Sequence, residues 1–178
     1  MAQQYSEWGQ DRWAIDMAGP MPAPGPGFFL DSNAGHAIHR SNTFLLEEKY
    51  GWSGICIDDV RENLESLGSI RHKSSVVSMD SSELARRMAE TLDILKAPGL
   101  IDYWNLNVVG RELEILRRFP WNSRRVTALS VKLSPGNSGL VSDFLANLGY
   151  TIPSLRPPNQ DGYYVSYVQP IRSRRVGH

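Results

Sequence analysis

Cysteine is almost missing from this chain: Cys56 is the only one in 178 residues. That excludes an intramolecular disulfide framework and leads us to expect a reducing, cytoplasmic setting. No apolar run approaches the ~18 residues of a membrane-spanning helix. The opening MAQQYSEWGQDRW has neither the charged start nor the apolar stretch of a secretory signal. Charge of one sign is not in excess, since nineteen Lys and Arg balance nineteen Asp and Glu. Neither nucleic acid nor an anionic membrane is therefore expected as the main partner. There is no HExxH motif and no cysteine pair, so no metal is expected. What is present is ordinary: 41% apolar and 21% charged residues, the composition of a globular chain. The length suits one domain at ~150 residues each.

Three stretches are expected. Residues 1–27 should hold a short helix, with Trp8, Trp13, Ile15 and Met17 as apolar contacts. A connector, GPMPAPGPG at 19–27, follows it, and its prolines and glycines disfavour helix and ladder alike. Residues 28–171 alternate strand and helix. Residues 172–178, RSRRVGH, form a basic tail.

Strands are predicted at FFLD (28–31), GICID (54–58), SSVVSM (74–79), LIDYWNLNVV (100–109), RVTALSVKL (125–133) and GYYVSYVQP (162–170). Helices are predicted at SNTFLLEEKYG (41–51), RENLESLG (61–68), SSELARRMAETLDILK (81–96), RELEILRRF (111–119) and SGLVSDFLANLG (138–149). The first has Phe44, Leu45 and Tyr50 as its buried face, Ser41 as cap and Gly51 as stop. Asp80 caps the long helix, on which Leu84, Met88, Leu92 and Leu95 share one face. Strands alternating with helices imply parallel pairing and a doubly wound α/β sheet, with its ligand site beyond the carboxyl ends of the strands.

On that logic the working loops hold residues 31–40, Asp58 with Asp59, and 107–112. An acid ending the second strand, here Asp58, suits ribose hydroxyls. His36 and His39 lie three apart beside Arg40. Imidazole titrates near neutrality, so His36 can serve as general acid or base, or the pair can simply be solvent-facing. Cys56 sits inside a strand without a base, and Tyr103 and Trp104 read as packing. Arg117, Arg118, Arg124 and Arg125 flank Trp121, and Arg172, Arg174 and Arg175 close the chain. With zero net charge they read as a solvated helix end and tail rather than an RNA surface.

Taken together, YSEWGQDRW, GFFLD, SNTFLLEEKYGWSGICID, SMDSSEL, IDYWNLNVVGRELEIL, FLANLGY and NQDGYYV resemble, in order, the segments of the FkbM-type methyltransferases. The resemblance covers nearly the whole chain. It implies a shortened, Rossmann-like class I fold that binds S-adenosylmethionine, with Asp31, Asn33, Ala34 and Asp58 at the cofactor and His36, Asn107 and Glu112 at the catalytic positions.

The departures fall on those positions. Asn33 and Ala37 stand where the family has glycines, and His36 where it has an acid. Asn107-Val108-Val109-Gly110-Arg111-Glu112 replaces an Asp-Val-Glu-Gly-x-Glu pattern, so Gly110 and Glu112 survive while Asn107 cannot act as a carboxylate base. The interval between Asp58 and the strand beginning near Ile101 is short, which implies a missing strand and a reduced adenine wall. S-adenosylmethionine binding is accordingly expected to be weak or absent. The expected function is binding of a small-molecule substrate in the cleft, with methylation abandoned for acid–base chemistry such as that of a cyclase, lyase or isomerase, or lost outright. Retained O- or N-methyl transfer and a non-catalytic scaffold are the alternatives. A sheet lacking an inner segment should pair as a homodimer.

Overall fold

The computed structural model describes residues 4–18 and 26–166. Helix α1 (Gln10–Ala18) is followed by β1 (Phe28–Ser32), α2 (Phe44–Tyr50), β2 (Ser53–Asp58), α3 (Arg61–Ile70), β3 (Ser74–Ser78) and α4 (Ser81–Ile94). The chain continues as β4 (Leu100–Leu106), α5 (Glu112–Arg118), β5 (Arg125–Val131), α6 (Ser138–Asn147), β6 (Tyr150–Thr151) and β7 (Gly162–Ser166). Much of the connector and all of the basic tail lie outside the described residues.

Local chemistry explains most of the boundaries. The Asp80 carboxylate accepts the Glu83 amide and caps α4. Gly51 ends α2 in the left-handed conformation at φ 72°, the backbone region that glycine enters without steric penalty. Ser41 contributes to the start of α2 differently from expectation: Thr43 is the cap residue, and Ser41 Oγ accepts from the amides of Thr43 and Phe44. The buried face of α2 is Leu45, Leu46 and Glu47, while Tyr50 is exposed. Trp8, expected as a packing residue, lies exposed ahead of α1.

All seven strands form one sheet in the order β3-β2-β1-β4-β5-β7-β6. The first five pair in parallel. Two expectations are corrected here. No strand is missing between Asp58 and Ile101, because β3 pairs with β2 from Gly54↔Ser74 to Asp58↔Ser78 and the sheet is continuous. The pairing is also not parallel throughout. β7 runs antiparallel to both β5 and β6, because no helix intervenes between β6 and β7 to carry the chain back to the starting end of the sheet.

The inner strands are buried on both faces and separate two apolar layers, while β3 at the edge is only partly covered. On one side Leu30, Ile57, Trp104 and Leu129 pack against Leu84 and Met88 of α4, Ile115 and Leu116 of α5, and Val141 and Leu145 of α6. On the other, Phe29, Cys56, Tyr103 and Tyr163 meet Trp13 and Ala14 of α1, Leu46 of α2 and Leu67 of α3. Three helices on each face make the sheet doubly wound. Gly54 lets β1 and β2 close up, since a methyl there would lie 2.4 Å from the Phe29 ring. Cys56 is buried, and burial pushes its thiol up to about 12, which fits packing and not nucleophilic use.

Candidate functional site

Parallel strands deliver their carboxyl ends, and the loops after them, to one edge of the sheet. The loop after β1 leaves the sheet at Ser32 and is held from below, where the Ala34 amide donates to Ile57 O at 3.0 Å. Its backbone is left-handed at Asn33 (φ 62°) and Gly35 (φ 71°). Asparagine tolerates that region better than most residues with a side chain, so Asn33 holds this turn without a glycine. The loop after β4 is anchored to it by the Asn107 amide, which donates to Ser32 O at 3.0 Å.

Asp31 has no exposed surface. Its Oδ2 accepts from Thr43 Oγ1 at 2.6 Å and its Oδ1 from Asn105 Nδ2 at 2.7 Å. Burial raises its pKa above the ordinary value, against the pull of the Asn105 and Thr43 hydrogen bonds. Asn105 relays further, its Oδ1 accepting from Asn42 Nδ2 and Ser130 Oγ, both at 3.0 Å. Ser130 in turn meets the Tyr103 hydroxyl at 2.7 Å. Asn105 was not anticipated as a site residue. An asparagine between the apolar residues Trp104 and Leu106 inside a strand is the signal that could have found it, since a buried amide needs partners.

Asp58 is also buried, and it organises the loop that faces it. Its Oδ2 accepts the Gly35 amide at 2.8 Å; its Oδ1 accepts the Val60 amide at 2.9 Å and Asn63 Nδ2 at 3.1 Å. His36 is exposed, and its Nδ1 accepts the amides of Ile38 (3.1 Å) and His39 (3.2 Å). In the neutral ring the proton therefore sits on Nε2, so the ring faces solvent or ligand as a hydrogen-bond donor. Glu112 is drawn elsewhere. Its Oε1 accepts the Ser134 amide at 2.7 Å and the Ser134 hydroxyl, tying α5 to the loop before α6. It borders neither cavity described next.

Among the described residues, two cavities at this edge bear on the site. The larger, about 490 Å³, is lined by Glu7, Trp8 and Gln10 ahead of and within α1, by Ala34, Gly35, His36, His39 and Arg40, by Asn42, Asn105, Asn107 and Lys132, and by Asn159 and Asp161. Arg40, itself left-handed at φ 57°, pairs with Glu7 across its mouth. The smaller, about 230 Å³, is bounded by Asn33, Ile57, Asp58, Asp59, Met79, Ser81, Leu84, Val108 and Val109. Of the expected site residues, then, Ala34, His36 and Asn107 meet at the larger cavity and Asn33 and Asp58 at the smaller. Asp31 lines neither and is out of contact with solvent. Among the described residues no group of three or more His, Cys, Asp or Glu is arranged to hold a metal ion.

No family model matches the sequence, and no curated protein matches it. Solved structures do. The N-terminal domain of human METTL16 in complex with SAH superposes with a TM-score of 0.58 at 15% identity, covering 89% of this chain and 68% of that one. Precorrin-6y C5,15-methyltransferase from Geobacter metallireducens GS-15 gives 0.56 at 12% identity, over 93% of this chain and 90% of that one. This chain has the class I methyltransferase fold. The edge that carries both cavities is where a class I methyltransferase fold presents its ligand, at the switch point between β1 and β4.

Whether the residues fit S-adenosylmethionine is a separate question from fold. Asp58 is engaged by three donors of its own chain, and the Asn33 side chain donates across the cleft to Asn107 O at 2.9 Å. No helix is long and apolar enough to cross a membrane among the described residues.

Proposed function

We propose that this protein is an FkbM-like member of the class I methyltransferase fold that binds a small metabolite at the carboxyl ends of its strands and has left methyl transfer behind. The observation that carries this reading is the condition of its two strand-end acids. Asp31 is sealed and both its oxygens accept hydrogen bonds from within the chain. Asp58 is buried and holds the loops on either side of it. Carboxylates engaged in this way build the cleft: Asp31 is closed to a ligand, and Asp58 keeps about one acceptor position for it. Asn107, at the position where the resembling family has an acid, adds an amide that can orient a ligand but not deprotonate it. The larger cavity supplies the recognition, with Lys132, Arg40 and the Nε2 donor of His36 facing Glu7 and Asp161.

One observation favours the second reading, retained methyl transfer: the cofactor loop keeps left-handed backbone at Asn33 and Gly35. Calorimetric titration with S-adenosylmethionine separates the two. The expected result is a dissociation constant weaker than ~10 μM, which corresponds to about −7 kcal/mol. Tighter binding would restore the methyltransferase reading.

A further inference from the structure

The two loops at the site each pass from one cavity to the other, and they do so at the same place. Along the loop after β1, Asn33 borders the smaller cavity and Ala34 and Gly35 the larger. Along the loop after β4, Asn107 borders the larger cavity and Val108 the smaller. At this crossing Asn33 and Asn107 each donate from the side chain to the other's backbone carbonyl. Asn33 Nδ2 donates to Asn107 O at 2.9 Å, and Asn107 Nδ2 donates to Asn33 O at 3.3 Å. These contacts add to the backbone bonds that already fix both loops to the sheet, so loop position does not depend on them. What they add is a bar of two amides across the line where the cavities meet.

We propose that the Asn33–Asn107 pair divides the cleft into two binding sites, with Asn33 as the specificity-determining residue that keeps one long ligand from occupying both. The proposal rests on the metabolite-binding reading above. The smaller site takes a nucleoside-sized ligand by itself. Its walls, Ile57, Met79, Leu84 and Val108, are apolar and suit a flat heterocycle. Its acidic end suits hydroxyl donors: Asp59 is exposed, and Asp58 accepts three bonds where a carboxylate has about four acceptor positions. The larger site takes a separate polar metabolite carrying both an anionic and a cationic or hydroxyl group, matching its mixed charges. A ligand that joins the two halves covalently must first open the pair and leave four polar groups to be re-satisfied. Glycine at 33 would keep the φ of 62° without strain and remove the Asn33 amide from the bar, leaving only Asn107 Nδ2 on the backbone carbonyl of residue 33.

The test is calorimetric titration of the full chain and its Asn33→Gly variant with adenosine and with S-adenosylmethionine. The wild type should bind adenosine, and S-adenosylmethionine no more tightly. In Asn33→Gly, S-adenosylmethionine should tighten about tenfold or more, equivalent to about 1.4 kcal/mol, while adenosine stays within about twofold. Asn33→Asp, which tolerates the same backbone but cannot donate, should shift the ratio in the same direction and guards against a loop effect peculiar to glycine. If adenosine binds and neither variant changes the ratio, or if the wild type already prefers S-adenosylmethionine tenfold, the division is overturned and the cleft reading stands. If adenosine binds none of the three proteins, the cleft reading fails and the division with it.

Discussion

Asp31 shows how a single residue can be both a site marker and a structural liability. Its carboxyl is removed from water altogether and raised in pKa by that burial, with Asn105 and Thr43 only partly compensating. The consequence for stability has a definite sign. A folded-state pKa above the unfolded value means that the native state holds the proton more tightly, so the contribution is full below the unfolded value of 3.8 and declines as pH rises through the folded one. Asp31→Asn removes the titration while keeping the shape. Relative to the wild type, this variant should gain stability as pH is raised from 4 to 7, followed by urea midpoints at each pH. A difference that stays constant over that range would show that the Asp31 carboxyl is not titrating in the folded protein above its ordinary value.

At the scale of elements, a buried ion pair joins the start of the sheet to two helices. Arg71, just after α3, has a side chain with no exposed surface and donates from Nε to Glu47 Oε2 of α2 at 2.8 Å. Its remaining nitrogens reach Thr43 Oγ1 at 3.0 Å, Ala37 O at 3.4 Å and Ser41 Oγ at 3.5 Å, and the guanidinium lies over the Phe29 and Phe44 rings. Thr43 also donates to Asp31, so the pair is linked to the site through one hydroxyl. For Glu47 burial pushes upward, but Ser74, the Lys73 amide and Arg71 together outweigh it and the pKa is lowered. Its contribution is thus present above the ordinary carboxyl value and lost as pH falls, opposite in sign to that of Asp31. Arg71→Leu strands a buried carboxylate and should cost roughly 3–5 kcal/mol. The double variant Arg71→Leu with Glu47→Leu should recover much of that, and a chemical-denaturation cycle over the four proteins measures the coupling.

Over the whole molecule, α1 is part of the α/β unit and completes its cavity. Trp13 packs edge-on against Tyr163 (4.8 Å between ring centroids) and Tyr103 (6.3 Å), and its indole donates to Leu155 O at 3.1 Å. The segment before the helix is folded onto it, with the Asp11 carboxylate accepting from the Tyr5 amide at 2.8 Å and the Ser6 hydroxyl at 2.6 Å. Glu7 and Trp8 are thereby held at the wall of the larger cavity. Trp13→Ala should cost about 3–5 kcal/mol in a single cooperative transition and weaken ligand binding at the larger cavity in parallel. Thermal unfolding in two separate steps would show instead that α1 is an independent appendage. The continuity of the sheet bears on association as well. With β3 in place the sheet has no internal gap for a second copy to cover, and β3 itself forms its edge.

The alternation of short apolar runs with amphipathic ones, each closed by a glycine or opened by a cap such as Asp80, determined the succession from β1 through α6, because those signals act within a few residues of chain. It also determined which loops would gather at the site, since parallel strands present all their carboxyl ends together. β6, two residues long, was beyond its reach, because no periodicity exists at that length. So was the reversal of β7, which depends on what lies between strands and not on the strands themselves. At the site, the sequence marked Asp31, Asn33, His36, Asp58 and Asn107 as departures or survivals of a pattern, but it could not say what each would touch. Contacts 23 to 74 residues apart decided that. The Gly35 amide claimed Asp58, Asn105 claimed Asp31, and Asn33 met Asn107 across the cleft. A polar side chain takes its role from the partner that tertiary packing brings within 3 Å or so, and that partner is not encoded in its neighbours along the chain.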